Sequence, residues 1–311
     1  MANVPDIQPR PIFIAGPTAA GKSEIALQLA ERVGGEIISV DSMQVYRGLD
    51  IGTAKPSAAE QQRVPHHLID VAEFTETFDA ARFANLARAT AGEIAARGCR
   101  PVLCGGTGLY FQAFLEGLGA APPADLRLRA ELEAMPLARL LDELREHDPV
   151  THGSIDQKNP RRIIRAVEVL RLTGKPFSAQ RSVWNSERGT GNREFFFGMT
   201  RPTADLHARI NARVDEMFRR GLVDETRRLL SRGLATNQTA MQAIGYRQVV
   251  EHLRGERSLE ATIELVKIRT RQFARRQLTW FRKYAALEWI ELSAGFSIAD
   301  AARKIQAHVS N

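Results

Sequence analysis

Residues 12–23 read IFIAGPTAAGKS. The stretch contains Gly-x-x-x-x-Gly-Lys-Ser, with Gly16, Pro17, Thr18, Ala19, Ala20, Gly21, Lys22 and Ser23 in order. The apolar run 12–15 reads as a buried strand, and 23–33 has helical period. This strand–loop–helix setting is what makes the pattern a phosphate-binding loop. Glycines let backbone N–H groups turn toward phosphate oxygens, and the helix start adds partial positive charge. Lys22 would bridge the phosphates and Ser23 would hold Mg²⁺, partly through water. The chain is therefore expected to bind a diphosphate or polyphosphate.

Outward from the loop, strand patterns recur at 36–40 and 101–104, with helical patterns between them at 23–33 and 78–97. That alternation predicts a parallel sheet with right-handed crossovers. The fold class expected is α/β: a P-loop NTPase-like doubly wound parallel sheet with a mostly helical insertion. Ligands of such sheets gather at the carboxyl ends of the strands. Residues 16–23, 41–44 and 105–107 each follow a strand, so they should meet in one crevice. A Gly/Pro-rich joint at 117–123 marks the change of character. Two helices broken at Pro136 and one starting at Pro160 follow, and a strand pattern resumes at 194–199. The expected division is a core of 1–116 and 196–311 with an insertion at 117–195.

The chain has 311 residues and a net charge of +7. No apolar run reaches the ~20 residues of a membrane span. The first ten residues have no apolar h-region, so no secretory leader is expected. Cys99 and Cys104, the two cysteines, read as buried thiols of a reduced, cytoplasmic protein rather than a disulfide or metal site. Adjacent His66 and His67 lack companion ligands and read as loop packing. Between positions 266 and 284 stand Lys267, Arg269, Arg271, Arg275, Arg276, Arg282 and Lys283, with no acidic residue. A solvated helix face usually mixes signs, so this one reads as a surface for a phosphate backbone.

Asp41 ends the second strand. It can support Mg²⁺ through water, act as a general base, or simply cap a turn. Gly105-Gly106-Thr107-Gly108 follows the third core strand. Its glycines read as room for a ligand, and Thr107 as a ligand contact or a helix cap.

Six motifs stand in order: GPTAAGKS (16–23), SVDSMQVYRGLDIGTAKP (39–56), VPHHLID (64–70), GGTGLY (105–110), RRIIRAVEVL with LTGKP (161–176) and AIGYRQ (243–248). Together they resemble the bacterial tRNA dimethylallyltransferase family, from about residue 11 to 289. Ala20 departs from the serine usual there. The resemblance implies transfer of a dimethylallyl group from dimethylallyl diphosphate to N6 of adenine 37 in the tRNA anticodon stem-loop. It implies that loop 16–23 holds the donor diphosphate with Mg²⁺, that Asp41 takes the N6 proton, and that Thr107 lies by the reacting atoms. It implies RNA contacts at Asp41, Ser42, Met43, Gln44, Thr107, Arg129, Arg161, Arg162, Ile163, Ile164, Arg165, Gln242, Ala243, Ile244, Gly245, Tyr246 and Arg247. A monomer without membrane contact is expected. The competing readings are a P-loop kinase, a prenyltransferase of free adenine nucleotides and a nucleic-acid-binding ATPase. The additional basic surfaces argue against the first two.

Overall fold

The computed structural model describes residues 7–180, 195–237, 239–283, 287–293 and 295–310. The polar stretch 186–193, Trp184 and Tyr284 lie outside them. In chain order the core opens with β1 (Ile12–Ala15), α1 (Lys22–Val33), β2 (Gly35–Val40), α2 (Ala58–Arg63), β3 (His66–His67), α3 (Ala80–Ala96), β4 (Arg100–Gly105) and α4 (Gly108–Glu116). The helices α5 (Leu126–Glu133), α6 (Leu137–His147), α7 (Pro149–Ser154), α8 (Pro160–Thr173) and α9 (Phe177–Gln180) follow. The core resumes with β5 (Phe196–Thr200), α10 (Thr203–Arg219), α11 (Leu222–Ser231), α12 (Tyr246–Leu253), α13 (Leu259–Phe281), β6 (Glu288–Glu291) and α14 (Ile298–Ser310). Among the described residues no helix is long and apolar enough to cross a membrane.

The strands form one sheet in the order β3-β2-β4-β1-β5-β6, parallel throughout. Strand β1 lies inside it because IFIA is apolar at every position, as a strand covered on both faces requires. Alternation then sorts its side chains. Ile12 and Ile14 share an apolar cluster with Ile25, Ala26 and Leu29 of α1 and Ala301 and Ile305 of α14. Phe13 points to the other face, where its ring meets Phe114 at 5.8 Å and Phe196 at 5.4 Å. Phe111 meets Phe281 of α13 at 5.9 Å on that same face. Helices thus cover both faces, which is the doubly wound arrangement. Each ring or branched side chain buried there contributes about 1.5–3 kcal/mol.

The chain divides into two compact units, and residues 116–180 fall in one while 7–115 and 195–310 fall in the other. The helical unit has its own apolar core, with Leu132, Leu140, Leu144, Ile163 and Val167. Its helix α8 starts on an Asn159 cap with Pro160 in the first turn and stops at Gly174 in the left-handed conformation. Pro cannot supply an N–H that a helix start leaves unused, and Gly tolerates the positive φ at the end.

Candidate functional site

Loop 16–23 leaves β1 at Gly16. A Cβ there would lie 2.4 Å from the Met199 carbonyl oxygen of β5, and φ is +144°. Only glycine lets the loop start against the neighbouring strand. Its carbonyls are tied back by cations: Lys22 Nζ donates to Pro17 O (2.6 Å), Arg209 Nε to Ala19 O (3.0 Å) and Arg201 Nε to Ala20 O (2.9 Å). The first N–H groups of α1 are then the unpaired donors that any helix start leaves for an anion. Ala20 itself is fully buried in the apolar cluster of α1.

The loop borders a cavity of about 570 Å³ whose lining includes Thr18, Ala19, Gly21, Lys22, Ser23, Asp41, Gln44, Gly105, Gly106, Arg209, Arg213 and Gln277. Residues from the loops after β1, β2 and β4 therefore meet as the parallel sheet predicted, but Ser42, Met43 and Thr107, expected in the same crevice, are not among the lining residues. Lys22 is buried, and that burial pulls its ammonium down to about 8, with Cys104 and Asp41 opposing the shift and Arg213 adding to it. Arg213 is likewise lowered by desolvation, with Asp41 opposing. Burial pushes the Cys104 thiol up to about 11, so it stands as an inert neutral group at neutral pH. Bringing a diphosphate to Lys22, Arg209 and Arg213 would relieve this crowding of like charge.

Asp41 does two jobs at once. Its Oδ1 accepts from the N–H of Met43 (2.8 Å) and Gln44 (3.2 Å), so it does organise the turn. The second carboxylate oxygen is not needed for that, and Asp41 borders the cavity. Thr107 accepts from Ser42 N–H at its Oγ1 (3.1 Å), while its own N–H goes to Val40 O (3.2 Å). The turn after β2 and the loop after β4 are thus pinned together, and the Thr107 N–H is spent within the protein. Gln44 is held by Ser39 Oγ and by the carbonyls of Thr53 and Ala54.

The glycines of Gly105-Gly106-Thr107-Gly108 have another cause than the ligand approach expected from sequence. A Cβ on Gly106 would fall 2.1 Å from Gln277 Nε2, and one on Gly108 2.1 Å from the Trp280 ring. Helix α13 packs directly on this backbone. Gln277 Oε1 accepts from Thr18 N–H (2.8 Å) and its Nε2 donates to Gly106 O (3.0 Å).

The proposed RNA stretches divide by burial. Arg161 and Arg162 are exposed, whereas Ile163 and Ile164 are core. Arg129 and Arg165 both pair with the fully buried Glu168, at 2.7 and 2.6 Å, and Arg165 also donates to Pro122 O. In this structure they fasten the joint rather than reach outward. Tyr246 and Ala243 are buried as well. The Tyr246 hydroxyl donates to Glu225 (2.5 Å) and accepts from Gly52 N–H (3.1 Å), steadying the segment that holds Gln44. Gly245 precedes α12 at φ +102°. Gln242, Ile244 and Arg247 instead border a second recess, of about 360 Å³, with Arg257, Arg269 and Arg276.

On α13, Lys267 is paired with Asp215 and Glu264, and Arg271 donates to Asn211. Arg269, Arg275, Arg276, Arg282 and Lys283 are exposed. His66 and His67 stand in strand β3 rather than the loop expected; His66 Nδ1 bonds the Val64 carbonyl (2.7 Å), His67 bonds Glu36 (2.6 Å), and His66 borders the cavity. Sequence reading missed Arg201, Arg209, Arg213 and Gln277. For the arginines a signal existed: they follow β5, whose carboxyl end faces the crevice. Gln277 carried none.

Comparison with known proteins shows the family. The sequence profile of the IPP transferase family matches residues 44–284. A tRNA dimethylallyltransferase of Trichlorobacter lovleyi is 46% identical over 291 residues, covering 91% of this chain and 94% of its own. The crystal structure of the full-length tRNA isopentenylpyrophosphate transferase from Bacillus halodurans superposes with a TM-score of 0.70 at 39% identity, over 97% of each chain. A eukaryotic dimethylallyltransferase solved in the act of working on tRNA gives a TM-score of 0.72 at 27% identity, over 90% of this chain and 73% of that one.

Proposed function

The chain belongs to the IPP transferase family, and from that premise we propose that it moves a dimethylallyl group from dimethylallyl diphosphate to N6 of adenine 37, beside the anticodon of tRNA. The observation that carries the reading is the single cavity in which the phosphate loop and the Asp41 turn face common space. A kinase would need the same loop but has no use for the exposed cations of α13.

The exocyclic amine of adenine is a weak nucleophile because its lone pair is delocalised into the ring. The leaving group must therefore be made good. Loop N–H groups, Lys22, Arg209 and Arg213 hold the diphosphate and receive the charge that grows on it as the allylic C–O bond breaks. The C–N bond forms at the freed carbon, and the second oxygen of Asp41 takes the N6 proton. Thr107 orients the amine through its hydroxyl. Ser23, exposed in the first turn of α1 and bordering the cavity, offers a hydroxyl oxygen suited to Mg²⁺. No cluster of three or more acidic, His or Cys ligands suited to a metal occurs among the described residues, so the ion would arrive with the diphosphate and keep waters. When bound, Mg²⁺ neutralises the departing diphosphate.

The target base must leave the anticodon-loop stack, which costs a few kcal/mol and least in a single-stranded loop. Arg161 and Arg162, the recess at Arg247, Arg269 and Arg276, and the outward cations of α13 supply compensating phosphate contacts. Incubation with Mg²⁺, dimethylallyl diphosphate and unmodified tRNA, followed by nucleoside mass spectrometry, tests the reading. A prenylated adenosine formed from tRNA but not from AMP supports it. ATP consumption without prenyl transfer would replace it with the kinase reading.

A further inference from the structure

Gln277 is a buried amide, 7% exposed, near the C-terminal end of the basic helix α13. Both ends of its amide are satisfied, and both partners belong to the reaction site. Its oxygen accepts from the Thr18 amide, 259 positions away, and its nitrogen donates to the Gly106 carbonyl. Gly106 carries no side chain because Gln277 occupies that space. The next residue is Thr107, whose hydroxyl accepts from Ser42 beside Asp41. Hydrogen bonds on either side of the Gly106–Thr107 peptide therefore link the phosphate loop, through Gln277, to the turn that carries the proposed base.

We propose that Gln277 is a positioning residue for the transfer step, setting the distance between the donor loop and the Thr107–Asp41 turn by fastening both to α13. The proposal rests on the transferase reading and goes beyond it. The Thr18 N–H is claimed by Gln277 and the Ala20 N–H turns back to Pro17 O (3.4 Å), so Gln277 fixes how the remaining donors of the loop are aimed. The chemistry needs an in-line approach of N6 to the allylic carbon. Misplacement by about 1 Å costs on the order of 10²-fold in rate. A side chain that spans the two halves acts on the transition state more than on either ground-state complex. The arginines next in sequence, Arg275 and Arg276, face outward, so the same turn that locks the loops carries cations for RNA.

The test uses two variants with different chemistry. Gln277→Met keeps the length and removes both hydrogen bonds. Gln277→Glu keeps an acceptor for Thr18 but sets a carboxylate oxygen against the Gly106 carbonyl. Only the protonated acid can donate there. Because Lys22, Asp41, Arg209 and Arg213 border the same cavity, each variant is compared with wild type at every pH. The expected result for Gln277→Met is a kcat at least tenfold lower, with KM for tRNA and donor within about threefold. For Gln277→Glu, kcat relative to wild type should rise as the pH is lowered. Amide hydrogen exchange across residues 16–22 should quicken in Gln277→Met and give a readout independent of turnover. A wild-type kcat in both variants with unchanged exchange would overturn the proposal. A raised donor KM with kcat intact would also overturn it, making Gln277 a binding residue. Wild-type protein that prenylates nothing would remove the transferase reading, while the exchange measurement would still decide whether Gln277 holds the loop.

Discussion

Replacing Lys22 by Met should make the ligand-free protein more stable at pH 7 while abolishing donor use. Burial lowers the ammonium from 10.5 to about 8, and each unit is worth about 1.4 kcal/mol. Holding the charge at this buried position therefore costs about 3 kcal/mol at neutral pH. The variant also loses the hydrogen bond to Pro17 O, worth about 1 kcal/mol. The net gain expected is about 2 kcal/mol. Its pH dependence identifies the cause. Below about 8 the folded and unfolded states both carry the proton and the penalty is whole. Between about 8 and 10.5 the unfolded chain binds more protons than the folded one, so wild-type stability rises with pH relative to the variant. The advantage of Lys22→Met should therefore shrink across that window and turn into a small deficit above it. Urea denaturation of both proteins from pH 7 to 10, in a buffer free of phosphate, measures this directly. A variant less stable than wild type at pH 7, or a difference that stays flat with pH, would refute the account of Lys22 as a buried charge awaiting an anion.

Asp41→Asn keeps an oxygen for the Met43 and Gln44 amides and removes the base. Single-turnover rates should fall by about 10²–10⁴-fold with tRNA affinity unchanged, and equal loss in both would reduce Asp41 to a turn residue. Tyr246→Phe strands the Gly52 amide and takes a donor from Glu225. Thermal or urea unfolding should show a loss of about 2 kcal/mol, and an unaltered midpoint would mean that the segment before Ala54 is held elsewhere. Arg276→Gln should weaken tRNA binding and reduce the slope of log affinity against log salt by about one. The same change at Lys267, already paired with Asp215 and Glu264, should leave that slope in place.

The parts legible in sequence are those set by local backbone rules. The phosphate loop, strands β1, β2, β4 and β5 (but not the edge strands β3 and β6), the break at Pro136 and the start of α8 at Pro160 all follow from patterns a few residues long. Their positions in the structure match within a residue or two. Partners across the chain were not legible. Gly106 and Gly108 were visible as glycines, but their reason lies in Gln277 and Trp280, far along the chain. A motif also does not reveal which way its side chains face. Tyr246, Ile163 and Ile164 sit in segments read as RNA contacts, yet pack inward. Arg129 and Arg165 look like outward cations until Glu168 is placed between them. Charge counts along α13 overstate its free surface for the same reason.

The order in which the strands are made has a consequence for synthesis of the chain. Strand β1 is flanked by β4 and β5, and β5 starts at Phe196, some 91 positions after the last residue of β4 at Gly105. At about 5–20 residues per second a ribosome needs roughly 5–20 s to cover that distance. Throughout it, one hydrogen-bonding edge of β1 lacks its partner, and the rings of Phe13 and Phe111 lack Phe196. Open edges beside bare apolar surface are where nascent chains pair wrongly. The helical unit, with a core of its own, can complete in the same interval. Translation speed between codons 106 and 196 should thus govern yield, and a holding chaperone should find its target in the unfinished sheet rather than in the helices.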